Sequence, residues 1–255
     1  MKIKDSVVFI TGGASGLGAE VAKAIVKKEG KVIIADMNEK DGDLLVKQLG
    51  KQAFFTKCDV TCTEENQAAI QSGMQKFGKI TGLVNAAGIA GADRTIGRNG
   101  PADLQRFMKA ISINLVGSFD MIRLCAWEMI KNEANENGER GVIVNVASIA
   151  AFDGQIGQAA YAASKAGVVG MTLPIARDLS REGIRINSIA PGIFNTPMMQ
   201  AMPQEVRDSL GATVPFPKRL GEPHEFASLV LEVLTNPYLN GETIRLDGAI
   251  RMPPK

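Results

Sequence analysis

Short blocks of apolar, β-branched residues recur along the chain, and a stretch with helical periodicity follows each. Val7-Val8-Phe9-Ile10 is the first block, and its lack of polar alternation predicts a strand buried on both faces of a parallel sheet. A helix is expected from about Gly16 to Lys28. Val32-Ile33-Ile34-Ala35, closing at Asp36, is the second block, and Asp41 to Leu49 the second helix. The alternation continues with a strand before Cys58, a helix from Glu64 to Phe77 and a strand at Gly82-Leu83-Val84-Asn85. A long helix from about Leu104 to Lys131 then leads to a strand at Val142 to Val146, and a helix at Ala159 to Leu179 leads to one at Ile184 to Ile189. Near the end, Glu225 to Leu234 reads as helix and Thr243 to Leu246 as a last strand. Such alternation requires right-handed crossovers. It predicts a single α/β domain over residues 1–255: a doubly wound parallel sheet of roughly seven strands with helices on both faces.

Three places break the pattern. Ala90 to Pro101 and Pro191 to Pro217 read as irregular, and the second is long enough to be a functional loop. Its Phe194, Met198, Met199, Met202 and Phe216 suit either an anchor to the core or a lid over an apolar substrate. Pro174 falls inside a helical stretch, where it removes a backbone bond and crowds the carbonyl of Gly170, so a kink or break is expected there.

Composition narrows the function mainly by exclusion. Lys and Arg (29) nearly balance Asp and Glu (27) and are scattered rather than gathered into a stripe, so nucleic acid is not an expected partner. No apolar run reaches about 18 residues, so no membrane partner is expected either. The first strand starts almost at once, leaving no room for a leader, and a cytoplasmic location is the expectation. Three cysteines without a CxxC pair indicate neither disulfides nor a zinc site, and no metal is expected. The single histidine, His224, sits in Glu222-Pro223-His224-Glu225, where a helix start explains it better than catalysis does.

Two constellations carry chemistry. Gly12, Gly16 and Gly18 in Thr11-Gly12-Gly13-Ala14-Ser15-Gly16-Leu17-Gly18 lie where a strand turns into a helix, whose free amides and dipole suit a pyrophosphate. Composition alone would give such a string roughly 0.3 times per chain, so its context decides. That context is the strand before it, the helix after it, and Asp36 closing the next strand, where a carboxylate can accept from ribose hydroxyls. Tyr161 and Lys165 stand four apart on one helix face, so an ammonium can favour the phenolate and make the tyrosine a usable acid and base. Ser148, thirteen residues earlier at a strand end, can donate to a substrate oxygen as charge develops there. That triple is expected by chance only about 0.006 times in such a chain, so coincidence is a poor account of it.

These motifs resemble those of the short-chain dehydrogenase/reductase family, and the resemblance covers essentially the whole chain. It implies a Rossmann fold that binds NAD through Gly12, Ser15, Gly16, Leu17, Gly18, Asp36, the Asp59-Val60 pair, Asn85, Ala86 and Gly88. It further implies cofactor contacts from Tyr161, Lys165, Pro191, Gly192 and Thr196, and catalysis by Ser148, Tyr161, Lys165 and Asn114, the last holding a relay water. Asn85-Ala86-Ala87-Gly88 carries alanine where the family has a second asparagine. Within the family, Gln155 to Tyr161, Gly170 to Leu179 and Asn240 to Met252 are similar to the type II 3-hydroxyacyl-CoA dehydrogenases. That similarity implies a homotetramer acting on acyl-CoA or steroid-like small molecules.

Ser148, Tyr161, Gln155 and Gln158 are the expected substrate contacts, with Arg94 and Arg98 as weaker candidates for a CoA phosphate. Two rivals share the fold. A 3-oxoacyl-carrier-protein reductase would use NADPH, which Ser15 and Met37, neither of them basic, disfavour. A dinucleotide-sensing regulator would not need all of Ser148, Tyr161 and Lys165.

Overall fold

The computed structural model describes residues 1–254, with the side chain of Met198 lying outside that description. Seven strands form one parallel sheet: β1 (Val7–Thr11), β2 (Lys31–Asp36), β3 (Ala53–Lys57), β4 (Gly82–Asn85), β5 (Gly141–Val146), β6 (Ile184–Pro191) and β7 (Thr243–Leu246). Their order is β3-β2-β1-β4-β5-β6-β7, so the chain reverses direction of growth between β1 and β4. Ligands of doubly wound sheets bind at such a switch point, outside the carboxyl ends of the strands.

The strands are apolar throughout because helices cover both faces. Val8, Ile10, Val32, Ile34 and Val144 pack with α1 (Gly16–Lys27) and α9 (Pro223–Thr235). The alternate residues Val7, Phe9, Ile33, Leu83 and Ile143 pack with α3 (Thr63–Phe77), α5 (Ser118–Met129) and α6 (Ala159–Asp178). Every residue of β1 is buried, which a strand with one wet face would not allow. His224 sits in the first turn of α9, where Glu222 and Glu225 form a capping box.

Four expectations need correction. The long helix is not uniform: α4 (Leu104–Ile111) passes into a π-helical segment, Ser112–Gly117, before α5. Gly117 there lies so close to the β3–α3 turn that a Cβ would stand 2.9 Å from Val60 Cγ2. Pro174 does not break α6, which runs from Ala159 to Asp178 around it. Gly170, whose carbonyl loses its partner, is exposed with open space beside it, so water can replace the missing donor. The stretch from 191 to 217 is not one loop, because α7 (Pro197–Gln200) and α8 (Gln204–Ala212) occupy about half of it. Finally, the 90–101 stretch ends in a small hairpin pairing Ile96–Gly97 with Gly100–Pro101.

Candidate active site

The switch point is held open by missing side chains. Gly12 adopts φ +60, and a Cβ on it would stand 2.6 Å from the Ala87 nitrogen, so the loops after β1 and β4 touch there. A Cβ on Gly18 would collide with the Gly12 carbonyl, so the first turn of α1 lies directly on the same loop. Its N-terminal amides therefore face the crevice. Ser15, the exposed N-cap, makes no side-chain cap bond and keeps its hydroxyl available. The crevice measures about 420 Å³ and runs from Asp36, Met37 and Asp59–Val60, past Ser15–Gly18 and Ala86–Ile89, to Val146, Thr196 and Pro197. Its shape and donors fit a dinucleotide: helix amides for the pyrophosphate and a carboxylate at the ribose end.

Asp36 is half-buried and accepts from the Ala14 N–H (3.1 Å) and the Asn38 N–H (3.0 Å). Those bonds fix the carboxylate while leaving it lone pairs for ribose hydroxyls. Asp59 is held by the Thr61 N–H (2.9 Å) and hydroxyl (2.8 Å). Asn85, expected as a cofactor contact, stands behind the crevice. Its side chain is buried in the sheet, donating to Asn145 Oδ1 (3.0 Å) and the Ser118 carbonyl (3.2 Å), and it stitches β4 to β5 and α5 rather than lining the crevice. Pro191 and Gly192 likewise serve the sheet, pairing with Leu246, whereas Thr196 does reach the crevice.

β5 and α6 bring the three reactive side chains together. Ser148 follows β5, and its buried hydroxyl accepts from the Ala150 N–H at 3.1 Å. Burial pushes the Tyr161 phenol above its ordinary range, and the neighbouring Ser148 hydroxyl pulls it back down. Lys165 lies one turn further along α6, with Nζ 5.9 Å from the centre of the Tyr161 ring and 2.7 Å from the Val146 carbonyl, to which it donates a hydrogen bond. Burial lowers its pKa to about 8 through the loss of water around the ammonium. The Lys165 ammonium also sits 3.4 Å from where a Gly88 Cβ would be, which places it against the crevice wall.

Asn114 is fully buried in the π segment, and its amide is spoken for. Oδ1 accepts from the Ile89 N–H (2.8 Å), while Nδ2 donates to the Ile89 carbonyl (3.0 Å) and to Ser164 Oγ (2.9 Å). Ser164 in turn donates to the Tyr161 carbonyl at 2.7 Å. The Asn114 side chain thus ties the loop after β4 to the turn that bears the tyrosine. Ser164 and the Val146 carbonyl escape motif reading: one looks like any small helical residue, and the other has no side-chain signal at all.

A second cavity of about 510 Å³ opens beside Tyr161, between residues 89–95, the start of α4 and Ala159–Tyr161. Its walls are mainly apolar, with Phe107 and Ala110 on one side. Gln155 and Gln158, expected at this entrance, do not line it. The Gln155 N–H donates to Gln158 Oε1 (3.0 Å) and the Gln155 amide to the Pro253 carbonyl (3.1 Å). Of the two readings open for Phe194, anchor and lid, its position is that of an anchor, buried edge-on against Phe226 with ring centres 6.2 Å apart. Arg94 lies at a shallow hollow with Ile156, and Arg98 is exposed in the hairpin turn.

A family model described as short chain dehydrogenase matches residues 6–207. The chain is 54% identical over 254 residues to a 3-hydroxyacyl-CoA dehydrogenase type-2 of Drosophila melanogaster, covering 99% of this chain and 100% of that one. It is 50% identical to the protein of the same name from Bos taurus, covering 99% and 97%. Among solved structures, a 3-hydroxyacyl-CoA dehydrogenase type-2 from Mycobacterium avium superposes with a TM-score of 0.95 at 44% identity, covering 99% of this chain and 98% of that one.

Proposed function

The chain belongs to the short-chain dehydrogenase family, an oxidoreductase family whose members use a nicotinamide dinucleotide, and from that premise we propose that it interconverts 3-hydroxyacyl-CoA and 3-oxoacyl-CoA thioesters with NAD. The observation that carries the reading is the meeting of Ser148, Tyr161 and a buried Lys165 at the wall of a crevice whose ribose end is a carboxylate.

When bound, the nicotinamide accepts or supplies the hydride. Tyr161 takes the hydroxyl proton of the alcohol, or returns it to the ketone in reduction. Ser148 donates to the same substrate oxygen and steadies its developing charge. Lys165, fixed by the Val146 carbonyl, lends positive charge to the phenolate. Asp36 would accept from the adenosine ribose of a bound dinucleotide, and the open amides at the start of α1 would receive its pyrophosphate.

The apolar cavity beside Tyr161 supports an aliphatic acyl or steroid-like body as the substrate. The similarity to enzymes named for 3-hydroxyacyl-CoA favours the thioester. Val116, Phe119, Trp127 and Leu173 are exposed apolar side chains on the π segment, α5 and α6. Their exposure supports association with further copies of the chain, read here as a homotetramer. The test of substrate class is NADH-dependent reduction of acetoacetyl-CoA set against simple short ketones. A preference for the thioester is expected, and equal efficiency on both would remove the assignment.

A further inference from the structure

The last residues of the chain form a strap across the turn that carries Ser148, and Arg245 is the pin of that strap. From β7, Arg245 donates Nε to Asp247 Oδ2 (2.7 Å) and Nη2 to both Asp153 Oδ2 (2.6 Å) and the Ile250 carbonyl (3.1 Å). Its guanidinium carbon lies 5.1 Å from the centre of the Phe152 ring. Phe152 and Asp153 belong to the turn that Ser148 opens, because both of their N–H groups bond the Ile149 carbonyl at 2.9 Å. Ile149, Val214 and Ile250 pack as a small buried cluster, so the turn, the end of α8 and the strap share one apolar contact. Beyond it, the carbonyls of Pro253 and Pro254 accept from the Gln155 amide (3.1 Å) and the Ile156 N–H (3.0 Å). The strap is shaped for this: Ala249 takes φ +67, and its N–H bonds Asp247 Oδ1 at 3.0 Å.

We propose that Arg245 is a positioning residue that holds the Ser148 turn through Asp153 and so sets where the Ser148 hydroxyl stands against Tyr161. The inference rests on the reading of Ser148 and Tyr161 given above. Arginine is the residue that can do this, since its planar fork serves two carboxylates and a carbonyl at once while a ring lies against its face. The Asp153–Arg245 pair links residues 92 apart in sequence. It is only about one-fifth exposed on either side, so solvent screens it less than a surface pair. A Ser148 hydroxyl that drifts loses its bond to the substrate oxygen and its downward pull on the phenol together.

The test uses Asp153→Asn, Arg245→Met and Arg245→Lys, with Ser148→Ala as the reference, in the full-length enzyme assayed with acetoacetyl-CoA and NADH. Asp153→Asn is the primary variant, because it leaves the Arg245 bond to Asp247 in place and avoids stranding a buried carboxylate. Expected is a fall in kcat of about tenfold, less than the roughly hundredfold that a full 1 Å misplacement can cost. The KM for NADH should stay within about twofold of wild type, since the cofactor crevice is untouched. The pH–rate limb of Tyr161 should move upward, as it does in Ser148→Ala, and Arg245→Lys should recover part of the loss. An Asp153→Asn enzyme with wild-type kcat and an unmoved pH limb, even at a lowered melting temperature, overturns the inference and leaves Arg245 a structural residue. If Ser148→Ala itself keeps ordinary turnover, the reading of the site falls, and the inference with it.

Discussion

Lys165 Nζ stands 5.9 Å from the centre of the Tyr161 ring and donates its hydrogen bond to the Val146 carbonyl rather than to any carboxylate. The free enzyme thus keeps an ammonium where water is scarce, with its pKa lowered from the usual 10.5 to about 8 by burial. Holding that charge costs about 3 kcal/mol at neutral pH. The folded form binds this proton more weakly than the unfolded chain, so the cost is fully present below pH 8 and relieved as pH rises from about 8 to 10.5.

Lys165→Met removes that cost and leaves the Val146 carbonyl without its donor, a penalty of about 1–3 kcal/mol. The ligand-free variant is expected to match the wild type at pH 7 or exceed it by up to about 2 kcal/mol, and to lose that advantage by pH 10. Turnover should fall at the same time. Urea unfolding at the two pH values checks this, and a variant clearly less stable than wild type at pH 7 would contradict it.

Ser148→Ala should shift the pH dependence of alcohol oxidation. The hydroxyl of Ser148 lowers the Tyr161 phenol against the upward push of burial, so its loss lets the phenol rise. A group whose pKa rises needs a higher pH to act as a base, and the limb of kcat/KM should move upward in pH as its plateau falls. A profile lowered in amplitude with its limb unmoved would show that Ser148 does not act on Tyr161.

Cofactor choice turns on Asp36. Its carboxylate is fixed by two backbone N–H groups and faces a crevice whose nearest neighbour, Met37, is exposed and uncharged. A 2′-phosphate there meets negative charge, with no lysine or arginine among the described residues that line the crevice. Wild type should prefer NAD over NADP by at least about a hundredfold in kcat/KM, about 2.7 kcal/mol. Asp36→Ala combined with Met37→Arg should narrow or invert the ratio. Comparable use of NADPH by the wild type would remove Asp36 from this role.

Gly12→Ala separates strain from contact when compared with Gly50→Ala. Both glycines have positive φ, but nothing lies within 4 Å of a Cβ on Gly50, whereas one on Gly12 meets the Ala87 nitrogen at 2.6 Å. Gly50→Ala pays only for its backbone conformation, φ 73 and ψ −151, a region that costs about 1–3 kcal/mol for a residue with a Cβ. Gly12→Ala should lose more, and NADH affinity besides. Equal losses with intact binding would show that the loops after β1 and β4 do not need their close approach.

The layered fold was legible because Val7-Val8-Phe9-Ile10 and Val32-Ile33-Ile34-Ala35 can only be buried on both faces, and glycines mark where β1 must turn. Tyr161 and Lys165 were legible because helix geometry makes a spacing of four a contact. What stayed hidden depends on partners distant in sequence. Asn85 reads as a crevice residue until its strand neighbour Asn145 is seen to hold it. Pro174 reads as a breaker until Gly170 proves exposed. The segment after β6 reads as one loop because α7 and α8 are short, and Phe194 suits anchor or lid until Phe226 is found beneath it.

Tyr161 is assigned as the group that moves the proton, and Tyr161→Phe tests that role most directly. The ring and its packing remain while the hydroxyl goes, so NADH binding, followed by fluorescence, should stay near wild type. Turnover of acetoacetyl-CoA with NADH should fall by at least about a hundredfold, the low end for a lost general acid. A Tyr161→Phe enzyme that binds NADH and turns over at the ordinary rate would contradict the account.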